Sequence, residues 1–251
     1  MAIVLAFETS TEACSVALWI DGDVRERFGI APRQHAELAL PWAQELLAAA
    51  GIAKSQLDAI AVGRGPGAFT GVRLGVALAQ GIALALDRPV VPVSTLAALA
   101  YPIAAERIIA AIDARMGEVY LGAFQREGGG LHAVLAEAVG RPDLIALPEG
   151  NGWHGAGTGF AAADGALRTR MGGQLQQVDA AALPHAADVA RLAASMFARG
   201  ESVAAERVEP AYLRDNVALT VVEQASAKKA ATSATSRVVG NGGSDSRKTR
   251  P

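Results

Sequence analysis

One cysteine, Cys14, stands alone in 251 residues, and only four histidines accompany it. That scarcity excludes an internal disulfide and leaves no recognisable metal set. None of His35, His132, His154 and His185 has another histidine four residues away, so the usual helical zinc pair is missing. No Gly-x-Ser-x-Gly elbow surrounds a serine and no His-Glu-x-x-His occurs, which removes two common routes to hydrolysis. Long apolar runs are absent as well. The longest, Leu74 to Leu86, has 13 residues and contains Gln80, short of the roughly 20 that span a bilayer, so no membrane span is expected. Met1-Ala2-Ile3-Val4-Leu5 leads to Glu8 without a basic start or a small-residue cleavage site, so no export signal is expected. A reducing, cytoplasmic setting fits these absences.

Strong net charge is missing too. The chain carries −2 overall, yet residues 217–251 hold six Lys/Arg against two Asp/Glu, which leaves the preceding body the more acidic part. Such a body is not expected to hold nucleic acid by itself, because phosphate recognition needs a basic face. If RNA is involved, a partner holds it. What the chain does have is apolar material: 51% hydrophobic residues with 19% charged, enough for one large core or two smaller ones.

The apolar run Ile3 to Phe7, then Ser15 to Ile20, the turn at Asp21-Gly22-Asp23, and Val24 to Ile30 read as three strands, the last two joined tightly. From His35 to Ala50, Leu38, Trp42, Leu46 and Ala49 recur at helical spacing before Gly51, with Pro41 predicting a kink or a late start. A strand Ala59 to Gly63, a helix Thr70 to Leu86, a strand Val90 to Val93 and a helix Thr95 to Ala105 complete a βββαβαβα order. The second half repeats its opening with strands at Ile108 to Ile112, Glu118 to Phe124 and Leu131 to Val139. A short helical piece near Asp143, a strand Trp153 to Gly157 and a helix His185 to Arg199 follow, while 160–184 is ambiguous. Each half ends its first strand on a carboxylate, Glu8 or Asp113, which predicts an internal duplication. Lobes at 1–105 and 106–216 are expected, then a low-complexity tail, 217–251, too poor in large apolar residues to order itself.

Two segments invite a chemical reading. At Glu8-Thr9-Ser10 a carboxylate and hydroxyls at a strand end could meet a cation or phosphate; equally, the hydroxyls could bond the turn itself. Gly63-Arg64-Gly65-Pro66-Gly67-Ala68-Phe69-Thr70-Gly71-Val72-Arg73 precedes a helix N-terminus, where an anion could sit. It is neither a P-loop nor a Gly-x-Gly-x-x-Gly fingerprint, and a structural turn serves it as well as a phosphate cradle. Glu8, Thr9, Gly65, Gly67 and Asp113 are therefore the candidate nucleotide or anion contacts, although a strand-end salt bridge to Arg115 is the commoner fate of Asp113. Gly71, Gly75, Ala79 and Ala83 make a stripe without bulk that another helix can approach closely, in its own chain or in a partner, and on these residues alone burial within the chain is the commoner outcome.

These residues carry a resemblance. Leu5 to Leu18, Gly63 to Arg73, Pro92 to Ala100, Ala111 to Tyr120 and the ending Pro210-Ala211-Tyr212-Leu213-Arg214 are similar to the TsaB family, also called YeaZ. The resemblance implies a duplicated α/β fold of the actin-like or Hsp70-like ATPase kind, with ribonuclease H-like lobes. It implies a non-catalytic subunit that supports a TsaD-like catalytic subunit and helps recruit a TsaE-like ATPase. That complex transfers a threonylcarbamoyl group to N6 of adenosine 37 in tRNAs reading ANN codons. It further implies a homodimer when alone, tRNA held only within the complex, and no cofactor or metal of its own. The helices 35–50 and 70–86 then become the partner interface, through Leu38, Trp42, Leu46, Gly71, Val72, Gly75, Val76, Ala79 and Ala83. TsaD-type enzymes carry two histidines four residues apart after the strand that corresponds to Val90–Val93; here Thr95 and Leu99 stand there, and neither offers an imidazole. An ATP-binding enzyme of the actin-like superfamily is the alternative, and a metal-dependent peptidase a remote third.

Overall fold

A computed structural model describes residues 2–214; the expected disorder of 217–251 lies outside these residues. The chain opens with β1 (Ile3–Glu8), β2 (Ala13–Ile20) and β3 (Asp23–Ile30), then α1 (His35–Ala50), β4 (Ala59–Gly63), α2 (Phe69–Leu86), β5 (Val90–Val93) and α3 (Thr95–Ala100). The strands lie in the order β3-β2-β1-β4-β5. β1, β4 and β5 are parallel, while β2 and β3 return antiparallel. Burial explains their composition: β1 and β4 are covered on both faces and so are nearly continuous apolar runs, whereas β3 forms an edge and carries Asp23, Arg25, Glu26 and Arg27 among its apolar residues. α1 runs through Pro41 and ends at Gly51, whose φ of 66° closes the helix with a left-handed cap.

The second half contributes β6 (Arg107–Arg115), β7 (Glu118–Glu127), β8 (Gly130–Gly140), β9 (Trp153–Ala156), α4 (Ala162–Met171), β10 (Leu175–Asp179) and α5 (Ala186–Ala198). Its sheet reads β8-β7-β6-β9-β10, the first sheet's order with five added to each number. β6 is antiparallel to β7 and parallel to β9, as β1 is to β2 and β4. This is the two-lobed, duplicated α/β fold of actin-like proteins. The copy is incomplete. The piece near Asp143, expected to be helical, is a turn in which Ile145 N donates to Arg141 O, so no counterpart of α1 exists among the described residues. α3 also stops at Ala100 rather than Ala105, because Pro102 ends the hydrogen-bonded ladder.

The helices interlock the halves. α3 comes from the first half yet buries Leu96, Leu99 and Ala100 against Ile108, Ala110, Ile112 and Phe124 of the second sheet. α5 comes last in the chain yet lays Ala186, Val189, Ala190 and Ala193 on Val4, Ala6, Ala17, Ala59 and Ala61 of the first. A division of the chain at residue 105 therefore does not coincide with a division of the packing.

Candidate functional site

β1 ends in a buried polar knot. Glu8, Thr9 and Ser10 are at most 1% exposed; the side chains of Glu8 and Thr9 are bonded within the chain, while Ser10 Oγ is buried without a hydrogen-bond partner. Ser10 N donates to Glu8 Oε1 at 2.7 Å, and Thr95 Oγ1 donates to Glu8 Oε2 at 3.0 Å. Gly65 N in turn donates to Thr95 Oγ1, and Thr95 N to Gly65 O at 2.9 Å. Thr9 Oγ1 donates to Gly71 O at 2.7 Å. Burial pushes the Glu8 carboxyl above the usual carboxylate range, and the hydrogen bonds from Ser10 and Thr95 draw it part of the way back.

The glycines explain themselves at this knot. A Cβ on Gly63 would overlap the Glu8 carboxylate, one on Gly67 the Ser10 carbonyl, and one on Gly71 the Thr9 carbonyl. Gly65 has φ +98°, a conformation that side chains disfavour. The space that the glycines open is occupied by residues 8–10, not left for a phosphate. The structure thus brings Glu8, Thr9, Gly65 and Gly67 together, with Glu8 bonded to Ser10 N and Thr95 and Thr9 bonded to Gly71, and an anion would meet a buried carboxyl there. Asp113 takes the other reading: its Oδ1 accepts from Arg115 N at 2.8 Å, and its Oδ2 pairs with Arg115 Nη1 at 3.2 Å.

Most of the residues expected at a partner interface are buried in the chain's own core. Gly75, Ala79 and Ala83 face inward, and a Cβ on Gly75 would lie 2.7 Å from Thr9 Oγ1 and 3.3 Å from Val62. Val72 and Val76 are 5% exposed, Ala79 and Ala83 fully buried, and Leu46 is 4% exposed in the same core. Leu38 and Trp42 are partly buried against it, and Gly71 is half-buried. The stripe is small because the sheet comes close. The opposite face of α2 is the open one, with Ala77, Gly81, Leu84 and Ala85 exposed and Leu74 half-exposed. Leu84 reaches 62% exposure and Phe69 61%, and only 28% of α2, with mean hydropathy 1.6, is buried.

Sequence reasoning also missed how the motifs join. Ala211 N donates to Arg64 O at 2.8 Å, docking the ending 210–214 on the glycine segment. The Arg73 guanidinium lies over the Phe69 ring at 3.1 Å and faces the Tyr212 ring at 5.0 Å. Ser94, the N-cap of α3, donates its hydroxyl to Glu137 of β8, tying the two sheets. Cys14 is buried, and its thiol is pushed up to about 11 by burial and then by Glu8, which disqualifies it as a nucleophile near neutrality. Among the described residues no three His, Cys, Asp or Glu side chains gather as a metal set.

Comparison with known proteins adds the family. The family model for TsaD, tRNA N6-adenosine threonylcarbamoyltransferase, matches residues 24–221. The tRNA threonylcarbamoyladenosine biosynthesis protein TsaB of Escherichia coli is 43% identical over 86% of this chain and 96% of its own length. The chain belongs to the TsaB family. The Haemophilus influenzae TsaB is 39% identical over 85% of the chain and 94% of its own. The solved YeaZ of Pseudomonas aeruginosa superposes with a TM-score of 0.79 at 48% identity, covering 85% of this chain and all of that one. This TsaB-family chain therefore shares in the biosynthesis of tRNA threonylcarbamoyladenosine, within the wider TsaD family.

Proposed function

We propose that the chain is a non-catalytic subunit that docks on a TsaD-like catalytic subunit through the outer faces of α1 and α2. In doing so it holds that subunit in its productive conformation and helps recruit a TsaE-like ATPase, with tRNA bound only by the whole complex. Alone, it pairs with a second copy through the same faces. The observation that carries this reading is Gly81. A glycine inside a helix costs about 1 kcal/mol relative to alanine, and nothing lies within 4 Å of a Cβ built there, so no contact of the chain itself calls for one. Close approach of a second helix does. Around Gly81 the face of α2 is apolar, with Leu74, Ala77 and Leu84 beside it, and α1 exposes Leu40. Thr95, buried and bonded to Glu8 where a TsaD-type ligand histidine would stand, argues against transferase chemistry in this chain.

Gly81→Arg tests the docking. It is expected to raise the stability of the isolated chain by about 0.5 to 1 kcal/mol, while weakening pairing with the catalytic subunit at least tenfold in co-sedimentation. Unchanged pairing would overturn the interface. Threonylcarbamoylation of adenosine 37 by the purified chain alone would overturn the non-catalytic role.

A further inference from the structure

Arg73 is the only charged residue of α2, and among the described residues it makes no hydrogen bond and no ion pair. What holds it is aromatic. Its Cζ lies 3.1 Å from the centre of the Phe69 ring and 5.0 Å from that of Tyr212. Both rings are themselves exposed, Phe69 by 61% and Tyr212 by 56%. Nη1 is buried without a partner, whereas Nε and Nη2, also unbonded, reach the surface.

Tyr212 belongs to the ending 210–214, which follows the flank of α2 in the opposite direction. Gln80 Nε2 donates to Val208 O at 3.1 Å, and nearer the start of the helix Ala211 N donates to Arg64 O at 2.8 Å. These two bonds fix the ending without help from Arg73. An apolar side chain at 73 would pack against the rings as well and would leave no buried N–H unmet, which is costly. Holding Tyr212 in place therefore does not account for an arginine. An anion brought by a partner does. The donors of a guanidinium all lie in its plane, and rings against its faces fix that plane while the Nε and Nη2 edge stays open. That edge matches the two oxygens of a carboxylate. An arginine among exposed aromatic rings is also the composition found at the centre of protein interfaces. The corner continues the uncovered face of α2, because Arg73, Ala77, Gly81 and Leu84 follow one another at helical spacing.

We infer that this corner takes an aspartate or glutamate side chain of the catalytic subunit, side-on at Arg73 Nε and Nη2, with Phe69 and Tyr212 shielding the pair from water. The inference rests on the docking of α2 proposed above. It adds the ending 210–214 to that surface, as the segment that presets Arg73. One cation on an acidic body is not a face for phosphates, which favours a protein acid over RNA.

Co-sedimentation of the full chain with the purified catalytic subunit at stepped sodium chloride concentrations tests it. Arg73→Met keeps an unbranched stem against the rings and removes the charge. It should weaken pairing at least tenfold at low salt and flatten the salt dependence, without lowering the urea midpoint of the isolated chain. Arg73→Lys keeps the charge but loses the fork, and should recover less than about half of that loss on a logarithmic scale. Tyr212→Leu, which removes one ring and leaves the charge, should weaken pairing about threefold or more. If Arg73→Met fails to fold, the lysine and leucine variants decide by the same readings. The inference is overturned if pairing is unchanged, or if it weakens with the salt dependence intact, which marks a neutral acceptor. It is overturned equally if only self-association of the chain weakens, which assigns the carboxylate to a second copy, or if assembly persists while the complex loses tRNA, which assigns Arg73 to a phosphate. Gly81→Arg separates this outcome from the docking itself. Pairing lost with Gly81→Arg but kept with Arg73→Met leaves the docking standing and removes Arg73 from it; the converse keeps the role of Arg73 and moves the contact away from Gly81.

Discussion

His185 joins β3 to α5 through one ring. It stacks on Phe28 of β3 at 4.1 Å, bonds Glu26 at 3.0 Å, and stands as the N-cap of α5. The Glu26 hydrogen bond raises the imidazole above its ordinary value; burial opposes this, Asp188 adds to it and Arg191 offsets part. Burial would raise Glu26, but the hydrogen bonds from His185, Ser15 and Ala187 outweigh it and hold the carboxyl below its ordinary value. The signs follow from proton linkage. The raised histidine stabilises fully below 6.5 and loses that contribution as pH rises through its folded value. The depressed glutamate stabilises fully above 4.5 and loses it as pH falls through its folded value. The pair is thus complete between those two ordinary values. His185→Gln should cost most stability in that interval and progressively less toward pH 9, as urea unfolding at stepped pH would read. A pH-independent difference would show that stacking on Phe28, rather than charge, is what the histidine supplies.

At the scale of the element, α2 has one face fixed by its own sheet and another that its own sheet leaves uncovered. Ala79 is fully buried against that sheet, so Ala79→Leu should destabilise the isolated chain by about 1 to 3 kcal/mol through overpacking. Leu84→Glu, on the side that is 62% exposed, should stay within about 0.5 kcal/mol of the parent while impairing pairing. Denaturant midpoints and co-sedimentation of the two variants separate the faces; equal destabilisation would mean that the assignment of faces is wrong. Periodicity made the stripe Gly71, Gly75, Ala79, Ala83 legible, but not what lies against it, because Thr9 and Val62 arrive from distant strands. Elements of strong local pattern were equally legible: α1 and β4 fall at the expected residues, and β1 to β3 within two. β10 was not, since Leu175-Gln176-Gln177-Val178-Asp179 is a half-exposed edge strand with little apolar content. Nor was the start of α4, where Ala163, Asp164 and Gly165 are left-handed. At the polar knot the sequence left a cradle and a turn open; residues 8–10 fill the space beside the glycines, and Thr95, far along the chain, bonds Glu8 there.

The whole molecule is held by exchange. Each half lends a helix to the other: α3 covers the second sheet, and α5 covers the first. Residues 1–105 contain a complete five-stranded sheet with α1 and α2 on one face, and by chain order they look like a domain. Physically they are not one. Without α5 the other face of that sheet bares Val4, Ala6, Ala17, Ala59, Ala61 and Val91, all of them fully buried in the intact chain, and α3 loses the strands that receive Leu96 and Leu99. Two helix-sized apolar surfaces meet water at once, each worth several side chains at about 1.5 to 3 kcal/mol apiece for the large ones, against a net stability for a whole domain of only about 5 to 15 kcal/mol. A fragment of residues 1–105 should therefore fail to fold cooperatively and should self-associate. Joining residues 184–200 to it through a flexible linker should restore a single urea transition, because the strands and the part of α3 that seat the alanine face of α5 all lie within residues 1–105. A sharp two-state transition from the bare fragment would show that the halves are independent lobes, and that α5 is a clasp laid over a finished structure rather than one side of its core.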